Sequence, residues 1–205
     1  ANVDFDLDGD DTDDSTLVVA VTSTTVAAAE AVTFSYDFAM DLSTSFTGDD
    51  SLDIALIGGN AGDALTVGTR NVALGYSALT TDTQGSGSIA IGRFALNTQN
   101  FATTTDNYNV GAGYSAGLSI TTGIQNTLLG GVAGDSLTDA DNNVAIGYAA
   151  LTSDTLGSKS VAIGKSALQS QNFTTATDSF NVAVGASAGL NVTTAVENTL
   201  IGSLA

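Results

Sequence analysis

From Ile54 to Ala205 the chain keeps rewriting one short phrase in which branched apolar residues alternate with small ones. Its clearest copies are Asn71-Val72-Ala73-Leu74-Gly75-Tyr76-Ser77-Ala78 and Asn143-Val144-Ala145-Ile146-Gly147-Tyr148-Ala149-Ala150. A two-residue period places side chains one apart on opposite faces, so each phrase predicts a short β-strand. The larger residues are read as the inward wall: Val72/Leu74, Ile89/Ile91, Val144/Ile146, Val161/Ile163 and Val182/Val184, β-formers suited to stacking rung on rung. The glycine closing each phrase reads as a corner.

The anchor glycines are Gly58, Gly75, Gly92, Gly113, Gly130, Gly147, Gly164, Gly185 and Gly202. Their spacing runs 17, 17, 21, 17 and then repeats, a period of 72 residues. Residues 71–133 laid over 143–205 match without a gap at about 60% of positions, so a four-rung cassette has been duplicated. Such a return of one supersecondary unit predicts a stacked parallel solenoid of about nine rungs.

Three columns of the repeat refine this picture. An alanine stands three places after every anchor (Ala61, Ala78, Ala95, Ala116, Ala133, Ala150, Ala167, Ala188, Ala205), which predicts a narrow interior. The phrase opens on Asn71, Ser88, Asn109, Asn126, Asn143, Ser160, Asn181 or Asn198, with Ile54 the departure, and stacked Asn and Ser can hydrogen-bond up a ladder. The middle position, expected to face outward, is small in six rungs and Leu56, Leu128 or Leu200 in the other three. An outward leucine every 72 residues would need a cover, so this column is read as the seam of a homo-oligomer.

The two 21-residue steps carry matching inserts, residues 98–108 and 170–180. Insertions in a repeat map to one side and often form its working surface. Phe101 with Tyr108, and Phe173 with Phe180, are read first as pins holding each insert to its own rungs or to a neighbouring chain, and second as a sugar-contacting set.

Composition divides the chain into an acidic β cap or connector, residues 1–53, and the repeat domain, residues 54–205, with cassettes 54–125 and 126–197 and a continuation to 205. The first 53 residues hold 13 of the 22 acids and none of the four bases, Arg70, Arg93, Lys159 and Lys165. Within that segment, Phe34, Tyr36, Phe38, Met40 and Leu42 alternate with Ser35, Asp37, Ala39 and Asp41 as a half-buried strand would. Leu17 to Thr22 reads as another strand, and Val26 to Ala31 as a short helix or a third. A net charge of −18 disfavours nucleic acid and anionic membrane as partners, because both need clustered Lys and Arg. No apolar run is long enough to span a membrane. The start at Ala1 has no secretory-signal pattern, and the end at Ala205 falls inside a rung, so the natural chain is expected to extend further.

With no His and no Cys, the chain lacks the residues of serine–histidine or cysteine–histidine catalysis, of most zinc sites and of disulfides. No catalytic, cofactor-binding or metal-binding residue is assigned, and the chain is read as a non-enzyme. A glycan-cleaving Asp pair between chains is the enzymatic alternative, but nothing in the spacing selects one. Asp4 to Asp14 supplies the front half of a calcium loop around Gly9, yet position twelve is Ser15 rather than Glu, and the stretch is read as a solvated acidic loop. Gly58 to Asp63 and Gly130 to Asp135 look like calcium-binding nonapeptide rolls but lack the nine-residue tandem.

The phrase Asn143 to Gly147, with Ser160 to Gly164, resembles the YadA-like head repeat of trimeric autotransporter adhesins. That resemblance covers residues 54–205 and implies a left-handed parallel β-roll, three chains side by side. The 72-residue cassette with its Asn-Phe inserts is also similar in pattern to repetitive fibre proteins of marine tailed bacteriophages. Together these imply an all-β trimer in an extracellular virion fibre. Its expected partners are other virion proteins and a host-surface glycan or protein. A bacterial cell-surface adhesin head is the alternative. Nine rungs at strand spacing would give a rod roughly 40 Å long.

Overall fold

The computed structural model describes residues 3–5, 15–17 and 55–205. Strands β1 (Val3–Phe5) and β2 (Ser15–Leu17) pair antiparallel, Val3 opposite Leu17, in a unit separate from the repeats. Most of the Asp4–Asp14 loop, and the stretches 18–22, 26–31 and 34–46, lie outside the described residues.

The repeats form an all-β parallel solenoid of about nine turns. One strand per turn builds a nine-stranded sheet in chain order: β3 (Ala55–Ile57), β4 (Val72–Leu74), β6 (Ile89–Ile91), β8 (Val110–Ala112), β9 (Thr127–Leu129), β10 (Val144–Ile146), β12 (Val161–Ile163), β14 (Val182–Val184) and β15 (Thr199–Ile201). Every neighbouring pair is parallel and in step, so Ala73 lies beside Ala90 and Val144 beside Val161. On another side of the coil each insert pairs a two-residue strand with the preceding turn: β5 (Gly85–Ser86) with the insert strand β7 (Thr105–Asp106), and β11 (Gly157–Ser158) with the insert strand β13 (Thr177–Asp178).

The two faces of the sheet are the reverse of those expected from residue size. The middle residues Ala73, Ala90, Leu128, Ala145, Ala162 and Ala183 are fully buried, whereas the flanking Val, Leu and Ile residues lie half-buried or exposed on the outside. Ile89 and Ile91 keep 37% and 42% of their surface accessible even in the middle of the stack. Leu56, Leu128 and Leu200 therefore point into the coil, and the seam assigned to them does not exist.

Interior width explains the reversal. The alanines that follow the corners, Ala78 to Ala188, are buried too, and the middle of the strand and the place four after the anchor share room for at most one large side chain. In four turns that side chain is the leucine four places after the anchor (Leu79, Leu96, Leu151, Leu168), facing an alanine in the strand. Where the strand itself supplies Leu56 or Leu128, the place four after the anchor is Gly62 or Gly134. A Cβ on Gly134 would sit 2.8 Å from both Leu128 Cδ2 and Leu137 Cδ1. In the turns of Gly113 and Gly185 both places are small, Gly111 with Gly117 and Ala183 with Gly189. A Cβ on Gly117 or Gly189 would meet the leucines of the adjacent turns at 2.7–2.8 Å, so each strand leucine fills room left by glycines in its own and the neighbouring turn.

The corners need their glycines. Gly113 has φ +144°, and a Cβ there would lie 2.3 Å from the carbonyl oxygen of Gly130 one turn up. Stacked corners approach backbone to backbone, and a side chain has no room.

Candidate functional site

Buried asparagines run up the coil beside the sheet as expected. The Asn143 Oδ1 accepts from the Ser160 backbone N–H at 2.9 Å, while its Nδ2 donates to the Gly157 carbonyl at 2.8 Å. Asn71, Asn109, Asn126 and Asn181 repeat the arrangement. Each thereby satisfies backbone groups that the turns leave unpaired.

Where the ladder holds Ser88 or Ser160, the shorter side chain makes room for a polar cluster that sequence reasoning did not anticipate. Gln99 Nε2 donates to Asp82 Oδ2 at 2.6 Å and to Ser88 Oγ at 2.7 Å, and Asn109 donates to Gln99 Oε1 at 2.9 Å. Asp82 Oδ1 also accepts from the N–H groups of Gly85 and Phe101. Asp154, Ser160, Gln171 and Asn181 repeat the cluster, and Asp82, Gln99, Asp154 and Gln171 are all fully buried. Closed to solvent and saturated with internal donors, these carboxylates tie the inserts to the core and have no access to a substrate.

Phe101 and Phe173 are buried, each 5% exposed, and so act as the pins expected of them. Tyr108 and Phe180 do not: both stay half-exposed at the corner leading into the sheet. Asp106 and Asp178 stand beside them, paired with Arg70 and Lys159 respectively at 2.5 Å across half-exposed surface. The Tyr108 hydroxyl donates to Asp106 Oδ2 at 3.2 Å, and the Lys159 ammonium lies 5.3 Å from the Phe180 ring centroid. Exposed pairs of this kind contribute at most about 1 kcal/mol each.

The broadest candidate surface is the outer face of the nine-stranded sheet. Val72, Leu74, Val110, Leu129, Val144, Ile146, Val161, Ile163, Val182 and Val184 form an apolar strip running its length, half-buried by their own neighbours. At the far corner the strip is bordered by the residues that follow the anchor glycines, including Tyr76, Tyr114 and Tyr148, which are 51%, 54% and 61% exposed. Arg93, in the same column, sits with its guanidinium 5.8 Å from the Tyr76 ring centroid and 4.4 Å from that of Phe94. Hydrophobic alternation does not mark this border, whose residues occupy the position directly after each anchor glycine.

Among the described residues no group of three or more acidic side chains is placed to hold a metal ion, and no helix is long and apolar enough to cross a membrane. In the Gly130–Asp135 stretch, the Asp135 carboxylate instead accepts from the Thr152 hydroxyl one turn up. Burial raises its pKa above the ordinary carboxylate value, partly opposed by that bond and by backbone donors. Comparison with protein-family models, characterised proteins and solved structures found no match.

Proposed function

We propose that the chain is a structural fibre segment of a phage virion, a trimer standing away from the particle, with host attachment as its role. The observation that carries the proposal is the outer sheet face, an apolar strip along the whole stack that a lone chain would leave in water. A second copy covers such a strip at every level at once, and three copies with their strips turned inward form a closed rod. This moves the oligomer contact from Leu56, Leu128 and Leu200 to the Val, Leu and Ile residues on the other face.

The rest of the molecule fits a load-carrying role. Neighbouring turns are joined by in-step backbone ladders, the core is narrow and sealed, and the buried carboxylates are occupied with internal donors. We assign no catalytic activity, cofactor or metal. Other virion proteins and a host-surface glycan or protein are the proposed partners, in an extracellular setting. Deleting the gene from its phage and measuring adsorption to host cells tests the attachment role: a large fall in adsorption with intact particles is expected, and unchanged adsorption would overturn it.

A further inference from the structure

The two borders of the apolar strip differ in charge, one carrying lone cations and the other the ion pairs Arg70–Asp106 and Lys159–Asp178, and the difference recurs at matching places in both cassettes. On the border after the anchor glycines stand Arg93 and Lys165, both exposed, neither with a carboxylate within salt-bridge distance among the described residues. On the border before the strands stand Asp106 and Asp178, about half-exposed and each with one near cation. In each cassette the cation opens the 21-residue step and the Asp follows 13 residues later. Along the solenoid axis, 13 residues are less than one turn, so the two charges differ in height by under about 5 Å.

Height decides which charges can meet. Rotation about an axis parallel to the solenoid leaves every residue at its own level, so copies in a closed ring face each other turn for turn. If the strips face inward, one border of each copy lies against the opposite border of the next.

We propose that Arg93 and Lys165 of one copy pair with Asp106 and Asp178 of its neighbour, which fixes a head-to-tail ring of parallel chains and sets their axial register. This rests on the oligomer reading above and adds to it which edges touch. A slip of one turn would carry Arg93 past Asp106 to a level with Gly123 and would exchange Asp178 for Glu197 opposite Lys165, so at least one of the two pairs is lost. The other turns have Gly, Ala or Ser at the position seven before the anchor that Asp106 and Asp178 occupy, and the further carboxylates of this border, Asp141 and Glu197, stand one and two places later in their turns. Tyr76, Tyr114 and Tyr148 flank the cations and supply contact area at the same border.

Zero-length carbodiimide coupling, which joins a lysine amine to a carboxylate, tests the pairing on the full chain. The expected result is a ladder of covalent multimers on a denaturing gel, containing a peptide that joins Lys165 to Asp178. Lys165→Ala should abolish the ladder, and Arg93→Lys should add a second link, from the new amine to Asp106. Lys159–Asp178 coupling within one chain serves as the internal control. Arg93→Glu with Lys165→Glu, folded by circular dichroism, should weaken the assembly tenfold or more. An oligomer by sedimentation that yields only the Lys159–Asp178 link would overturn the edge pairing while leaving the oligomer intact. A folded monomer would overturn both.

Discussion

Gln99 reaches across one turn of the coil and donates to Asp82 Oδ2 at 2.6 Å, with both side chains fully buried. A buried carboxylate persists only when it is saturated with donors, and here the insert supplies two of them, the Gln99 amide and the Phe101 N–H. Gln99→Ala should therefore cost about 2–3 kcal/mol, seen as a fall in the urea midpoint, because it strips a donor from a buried carboxyl group that cannot reach water. Gln171→Ala should cost the same. The double variant should show the sum, since the two clusters lie four turns apart, about 19 Å at strand spacing.

Asn107 keeps its Nδ2 buried without a hydrogen-bond acceptor, although its Oδ1 accepts from Ser88. The second cassette carries Ser179 at the equivalent place, bonded to Ser160 and donating to the Ser158 carbonyl. Asn107→Ser should thus remove an orphaned donor while keeping the link to Ser88, and raise stability by about 1 kcal/mol. Thermal unfolding of the single variant checks this.

Leu128→Ala empties a filled level of the core and should cost about 2–5 kcal/mol. Gly134→Leu alone should also destabilise, since its Cβ would meet Leu128 and Leu137 at 2.8 Å. Combined, the two changes place alanine and leucine as at Ala145 and Leu151, with Leu137 still standing where that turn has Asp154, and the part of the loss due to the Leu128 contact should be recovered. Strict additivity in a double-mutant cycle would refute this sharing of room.

Asp135 gives the fold a pH dependence with a defined sign. Its carboxyl is pushed above the ordinary range by burial, so the folded state binds this proton more tightly than the unfolded chain. That contribution to stability is complete below the ordinary carboxylate pKa and is lost as pH rises through the raised folded value. Asp135→Asn keeps an acceptor for Thr152 and removes the charge. It should raise the melting temperature at about pH 7, with a smaller gain at about pH 3.

How much of this was legible in the sequence depends on what a two-residue period can say. The anchor spacing specified the number of turns and their parallel stacking, and the Asn column specified the ladder, because both depend on recurrence alone. Which face of the strand is inside depends on the width of the coil. Val72 and Leu74 look like core by size, yet the alanines at Ala78 and its equivalents already implied an interior too narrow for two branched walls. The buried Asp82, Gln99, Asp154 and Gln171 were harder to see. They occupy the place seven after the anchor that Leu65, Ile120, Leu137 and Val192 fill in other turns, and only that alignment marks them as inward.

Whether the outer strip is where chains meet is decided by sedimentation equilibrium of the wild type beside Ile146→Lys. Ile146 lies on the outer face of β10, so a lysine there leaves the core untouched and places a charge in the middle of the strip. The wild type should sediment at three times the chain mass, and the variant as a folded monomer. A folded wild-type monomer, or an Ile146→Lys variant that remains as tightly assembled as the wild type, would show that the strip is not the interface.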